Sequence, residues 1–161
     1  MAEAATLVYD ATDKILGRLA SLVAKQLMSA RKAGREQRVI IYNAEHAVVS
    51  GPRTRVLANY GGKYKLNHAR KGPFYPRMPD QILKRTVRGM LPYQKNSSGR
   101  GALRDLRVMI GKPINLAGDE LPDGHAWGDT VSIDKPLPLK FVRLGEISSS
   151  LGVDASRWEG K

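Results

Sequence analysis

The run Arg38-Val39-Ile40-Ile41-Tyr42 is apolar on both faces, a pattern suited to a parallel strand covered on both sides. Upstream, Leu7-Val8-Tyr9 reads as a short strand ending at Asp10. Between them Leu16, Ala20, Val23 and Leu27 recur at helical spacing, with Arg18 and Lys25 outside the stripe. Thr12 and Asp13 offer N-cap side chains for a helix beginning near Lys14 or Ile15. The helix pattern fades near Ser29, leaving Arg31 to Arg35 as a basic connector. Strand, helix and buried strand in this order make a βαβ unit, with the strands parallel and the crossover right-handed. That places the chain in the α/β class.

Asn43-Ala44-Glu45 reads as a turn, and Ala47-Val48-Val49 as a second apolar run stopped at Ser50-Gly51-Pro52. A weak helix is expected from Thr54 to Asn59, broken by Gly61-Gly62, with Lys63 to Leu66 extended and basic on one face. A loop through His68 and Arg77 leads to Pro79-Asp80, which opens a helix that Pro92 ends. On that helix Leu83, Val87, Met90 and Leu91 fall on one side and Lys84, Arg85 and Arg88 on the other. Tyr93 to Gly101 reads as a loop, Ala102 to Arg107 as a helical turn or two, and Val108 to Ile110 as a strand. Residues 114–135 are acidic and turn-rich; Leu137 to Leu144 suggests an edge strand, and Glu146 to Ser149 a short terminal helix before a frayed end.

Charge divides the chain more sharply than hydrophobicity does. Residues 51–112 carry 15 Lys and Arg against 2 Asp and Glu, while the remainder carries 12 against 13, so the whole net charge of +12 lies in the middle. A surplus of this size in one segment is the footprint of a polyanion partner, most often nucleic acid. With 161 residues the chain is expected to be one domain, 1–161, with a basic segment about 51–112 and an acidic part about 113–161. There is no Cys, hence no disulfide framework and no thiol nucleophile. The polar start MAEAATLVYD does not read as a signal peptide, and no apolar run is long enough to span a bilayer. A membrane-surface helix would need a bulky aromatic face, and aromatics make up 6% of the chain. The expectation is a soluble, cytoplasmic protein without a membrane partner.

Catalytic patterns are absent from the sequence. The first strand-to-helix turn, DATDKILGR, lacks GxGxxG, and GGKY at 61–64 lacks the frame of a P-loop. His46, His68 and His125 are isolated, without metal-ligand spacing. Ser50-Gly51 has no nucleophile-elbow frame, and Glu45-His46, being adjacent, are expected to point apart. No catalytic residue, metal, cofactor or small-molecule substrate is expected.

Anion binding accounts for many residues at once. Arg offers a planar fork that matches two phosphate oxygens, and Lys a compact charge. The candidates before the amphipathic helix are Arg53, Lys63, Lys65, His68, Arg70, Lys71 and Arg77. On and after it they are Lys84, Arg85, Arg88, Lys95, Arg100, Arg104, Arg107 and Lys112. Glycines 61, 62, 72, 89, 99 and 101 would let backbone N–H groups approach phosphates. Tyr64, Phe74, Tyr75 and Tyr93, interleaved with the charges, could stack on unpaired bases or serve the core. With no helix-turn-helix or zinc-finger frame, and with irregular basic loops, RNA is favoured over DNA.

DATDKILGRLAS, VIIYNAE with the following VVSG, RTVRGMLP with its glycine–arginine loop, and ALRDLRVMIGKP together resemble the large-ribosomal-subunit protein family conventionally called L-thirteen. The resemblance covers roughly residues 7–115 and extends more loosely beyond. RGMLPYQKNSSGRGAL and KFVRLGEISSSLG look more like the archaeal and eukaryotic branch; without the eukaryotic C-terminal extension, an archaeal-type member is expected. The resemblance implies a three-layer α/β/α domain with a small mixed, mostly parallel sheet. It also implies binding to large-subunit (23S-type) rRNA, neighbouring ribosomal proteins as partners, a role early in subunit assembly, and no enzymatic activity. By carry-over, Arg85, Arg88, Gly89, Met90, Leu91 and Pro92 form the signature segment, with RNA contact assigned to its charged members and packing to Met90 and Leu91. Arg18, in the GRLAS motif, is a further RNA contact or else pairs with a carboxylate such as Asp10. The alternative to a ribosomal constituent is an extra-ribosomal RNA-binding regulator of translation.

Overall fold

A computed structural model describes residues 6–116, 118 and 120–159. In chain order the elements are β1 (Thr6–Asp10), α1 (Leu16–Lys32), β2 (Arg38–Tyr42), β3 (Val48–Ser50), α2 (Arg53–Lys65), α3 (Pro79–Met90), α4 (Ser97–Arg104), β4 (Leu106–Val108), β5 (His125–Trp127), β6 (Phe141–Arg143) and α5 (Leu144–Ser150). The main sheet has the order β4-β2-β1-β5 with every neighbouring pair parallel. β3 and β6 form a separate antiparallel pair. The fold is α/β, as the opening βαβ pattern requires.

Alternation along the strands assigns two faces. Tyr9, Val39, Ile41 and Leu106 join the large core beneath α1, α3 and α4, whose buried members include Leu19, Val23, Leu27, Ile82, Leu83 and Val87. Val8 and Tyr42 point the other way, onto Leu116, with Ile40, Met109 and Leu121 around them. That second face is covered by the segment after β4, which contains a 3-10 turn at Ile114–Leu116. Each fully buried Leu, Ile or Val on the large side contributes about 1.5–3 kcal/mol.

Several local expectations are corrected. α1 has no side-chain cap at Ile15. Thr12 donates its hydroxyl to Asp10 at 2.7 Å instead, and Asp13, in a left-handed conformation (φ 58°), accepts from Arg143 at 2.7 Å. These two side chains build the turn before the helix, and α1 runs past Ser29 to Lys32. α2 passes through Gly61 and Gly62, so Lys63 to Lys65 are helical rather than extended. Two glycines cost a helix about 1 kcal/mol each, and burial of Val56 and Tyr60 on α2 offsets it. Met90 is 44% exposed rather than packed, while Ile82 joins Leu83 and Val87 inside.

Much of the expected 93–101 loop is helix, because α4 begins at Ser97. It is seated closely against its neighbours: a Cβ on Gly99 would strike the Pro92 backbone, and one on Gly101 would displace the Arg31 guanidinium. β4 consequently starts at Leu106, before the expected Val108. The acidic stretch contains a strand that the turn-rich sequence concealed, β5, paired from Thr6 beside His125 to Val8 beside Trp127. The expected edge strand is confined to β6, and the terminal helix forms as α5. Ala155–Arg157 make a 3-10 turn capped by Asp154, whose carboxyl is held below its ordinary range mainly by the Ser156 backbone N–H. The expected fraying at Gly160 and Lys161 lies outside the described residues.

Glu45 and His46 do not point apart: His46 Nε2 stands 3.6 Å from Glu45 Oε1. The Glu45 carboxylate is 3% exposed, and both its oxygens accept from the Gly111 N–H at 3.1 Å. This bond ties the turn after β2 to the end of the basic segment. Its role is structural.

Candidate nucleic-acid interface

The cations of this protein differ in what holds them. Some meet carboxylates around the sheet: Arg31 with Asp105 at 2.7 Å, Arg143 with Asp13 at 2.7 Å, and Lys14 with Asp134. Arg53, at the start of α2, pairs with Glu146 of α5. From Lys63 to Arg107, no Lys or Arg forms an ion pair among the described residues. Coulomb repulsion would splay such a set unless something else held it.

Aromatic faces and backbone carbonyls do so. Tyr60 of α2 packs edge-on against Tyr75 at 6.0 Å between centroids. Lys63 Nζ lies 4.9 Å from the Tyr60 ring centre and 5.6 Å from that of Tyr75. Arg85 of α3 covers Tyr75 at 4.8 Å and donates to the Phe74 carbonyl at 3.2 Å. Arg77 sits 5.4 Å over Tyr64, and Arg88 5.2 Å over Tyr93. Arg100 of α4 donates to the Tyr93 carbonyl at 3.3 Å. Neither a ring quadrupole nor a carbonyl dipole cancels a formal charge, so these cations are oriented while their charge stays available. Orientation in advance also spares part of the ~2 kcal/mol of rotamer entropy that each long side chain carries.

Burial dominates the tyrosines of this network. It pushes the Tyr60 hydroxyl up to about 12, with the Tyr75 charge adding to the effect. Tyr75 is raised by burial as well, and Arg85 only partly opposes it. Both rings therefore remain neutral at ordinary pH.

Lys63 and Lys65 occupy the last turn of α2, and His68, Arg70, Lys71 and Arg77 the loop between α2 and α3. His68 Nδ1 accepts from the Arg70 N–H at 3.3 Å, and the residue is exposed. Lys84, Arg85 and Arg88 of α3 border one cavity together with Phe74, and Arg100 and Arg104 of α4 border another with Arg31 and Ser97. Lys95 is exposed between those helices. The remaining candidates stand apart from this group. Arg107 lines a cavity with Ile40 and Met109 on the opposite face of the sheet, because it alternates with the core-facing Leu106 and Val108. Arg18 is exposed on α1 and forms no ion pair among the described residues; Asp10 instead accepts from Thr12 and Asn43. Arg53 is engaged by Glu146, and Lys112 is exposed beyond β4.

Sequence reasoning missed Tyr60, the hub of the aromatic support. Its signal was the helical spacing to Tyr64, hidden once Gly61-Gly62 was read as a break. The role expected of most glycines is corrected. Gly61, Gly62 and Gly89 lie inside helices, where backbone N–H groups are already occupied, and Gly99 and Gly101 serve packing. Among the described residues there is no cluster of His, Asp and Glu able to hold a metal, and no helix long and apolar enough to cross a membrane.

Residues 4–115 match the family model described as ribosomal protein L13. Similar chains include a large ribosomal subunit protein uL13 of Halobacterium salinarum, 40% identical over 152 residues that make up 94% of each chain. Another is the uL13 protein of Archaeoglobus fulgidus, 42% identical over 90% of this chain and 86% of the relative. The uL13 protein of Methanosarcina barkeri is 42% identical over 90% of this chain and 96% of its own.

Proposed function

The chain belongs to the ribosomal protein L13 family, and from that premise we propose that it is a non-enzymatic, archaeal-type constituent of the large subunit of the cytoplasmic ribosome. It binds large-subunit rRNA through the basic segment and supports early assembly of the particle. The observation that supports the rRNA-binding face is how particular cations are held: Arg77, Arg85 and Arg88 rest on tyrosine rings and Arg100 on a carbonyl, while Lys14, Arg31, Arg53 and Arg143 are matched by carboxylates. Charges held in place but not neutralised suit a polyanion whose phosphates must be brought close together.

The α/β body acts as a rigid platform, and the segment from Lys63 to Arg104 sets its cations between neighbouring RNA backbones. Neutralising phosphates there lets RNA strands pack that otherwise repel. The acidic part after Lys112 faces neighbouring proteins of the subunit, and Arg18, Arg53, Arg107 and Lys112 make contacts away from the main face.

Sedimentation of a cell extract through a high-salt gradient tests the reading. Co-migration at about one copy per large subunit is expected. Recovery only in the light fractions overturns it in favour of an extra-ribosomal RNA-binding regulator of translation.

A further inference from the structure

The aromatic residues of the basic segment are not equivalent. Tyr60, Tyr64, Tyr75 and Tyr93 each have a cation of this chain over the ring. Phe74 has none among the described residues, and it is 61% exposed. Its backbone is tied into the loop. The Phe74 carbonyl accepts from Arg85, and Gly72, at φ +73°, lets the ring lie against the chain where a Cβ would come within 3.1 Å of it. Beside the ring is a cavity of about 260 Å³ bordered by Gln81, Lys84, Arg85, Arg88 and Leu103. Three cations and one bare aromatic ring converge there.

We propose that Phe74 is a stacking platform for one unpaired nucleobase of RNA, with Lys84, Arg85 and Arg88 taking the phosphates on either side of that nucleotide. The inference rests on the rRNA-binding reading of the same face and sharpens it: the face recognises a nucleotide extruded from a helix as well as regular backbone. A ring stacks on any base, so the preference is for unpaired over paired nucleotides rather than for one sequence. The cavity is small for a cofactor, and its cations disfavour a basic protein segment. The tyrosine rings, already covered by cations, act as supports for those cations.

The test uses the full-length protein and two RNA hairpins that share one stem, uninterrupted in the first and carrying a single bulged 2-aminopurine in the second. The bulged hairpin should bind about tenfold more tightly, with quenching of the 2-aminopurine fluorescence on binding. Phe74→Ala should remove both the preference and the quenching, while affinity for the uninterrupted stem and its salt dependence stay unchanged; Phe74→Trp should retain the preference. A preference that survives Phe74→Ala, or an equal loss on both hairpins, overturns the proposal. Ultraviolet irradiation of large subunits supplies a second readout: the peptide containing Phe74 should carry a nucleotide, and a crosslink to another protein there would overturn the proposal in favour of a protein partner. Failure of the stacking inference leaves sedimentation with the large subunit unaffected, so it is separable from failure of the functional reading.

Discussion

Arg31 and Arg88 are the same residue type on neighbouring helices, yet their surroundings differ. Arg31 reaches Asp105 at 2.7 Å and so helps seat α4 against α1. Arg88 lies over the Tyr93 ring with no carboxylate among the described residues. The first arrangement uses positive charge inside the molecule; the second only steers it. A basic sequence therefore says how much charge is available, whereas the partner of each side chain says where it is available.

The largest effect on this contrast should come from removing steered charges. Replacing Arg85, Arg88 and Arg100 together by Ala should weaken RNA binding at least about a hundredfold, since hydrogen bonds to charged groups contribute roughly 1.5–3 kcal/mol each. The log–log salt slope should flatten by roughly two to three, with the thermal midpoint nearly unchanged. An unaltered slope in a salt titration would remove these residues from the interface. The reverse manipulation releases a paired charge. Asp105→Asn frees Arg31 beside Arg100 and Arg104; it should cost about 1 kcal/mol in urea unfolding while steepening the salt slope by somewhat less than one.

Gly61→Ala and Gly62→Ala probe the support rather than the charges. A Cβ at either position meets nothing within 4 Å, so each change should stabilise α2 by roughly 0.5–1 kcal/mol. RNA affinity should hold or rise slightly, because Lys63 and Lys65 sit on the stiffened turn. Loss of affinity would show that flexibility there is used in binding.

The smallest effect at ordinary pH concerns one tyrosine in each region. Tyr42 is pushed up to about 12 by burial and then by Asp10, and Tyr60 to the same level by burial and then Tyr75. A free tyrosine titrates near about 10. Because the folded values are raised, the stabilisation is fully present below about 10 and is lost as pH rises from there through about 12. Ultraviolet titration should show both ionising only as the protein unfolds. Early ionisation of Tyr60 alone would mean that Lys63 outweighs burial.

The opening βαβ unit was legible because Val39, Ile41, Leu16, Ala20, Val23 and Leu27 carry a strand and a helix period that local sterics and burial enforce together. The basic candidates were legible in the same way, since charge is a property of composition. Local chemistry misled where tertiary packing overrode it: at Gly61-Gly62, held helical by the burial of Val56 and Tyr60, and at Gly99 and Gly101, which fit α4 against Pro92 and Arg31. β5 was hidden because its three residues become a strand only through the edge that β1 offers.

The sequence alone determined the α/β class, the amphipathic α3 and the confinement of net positive charge to residues 51–112, because periodicity and charge are local and additive. Tertiary structure decided which cations meet a carboxylate, which rest on a ring, that Arg107 lies across the sheet from its neighbours, and that among the described residues Phe74 has no cation over its ring while Tyr60, Tyr64, Tyr75 and Tyr93 do. Those outcomes depend on distances of a few ångströms between segments far apart in the chain, and ion pairing and cation–π attraction are felt only at that range.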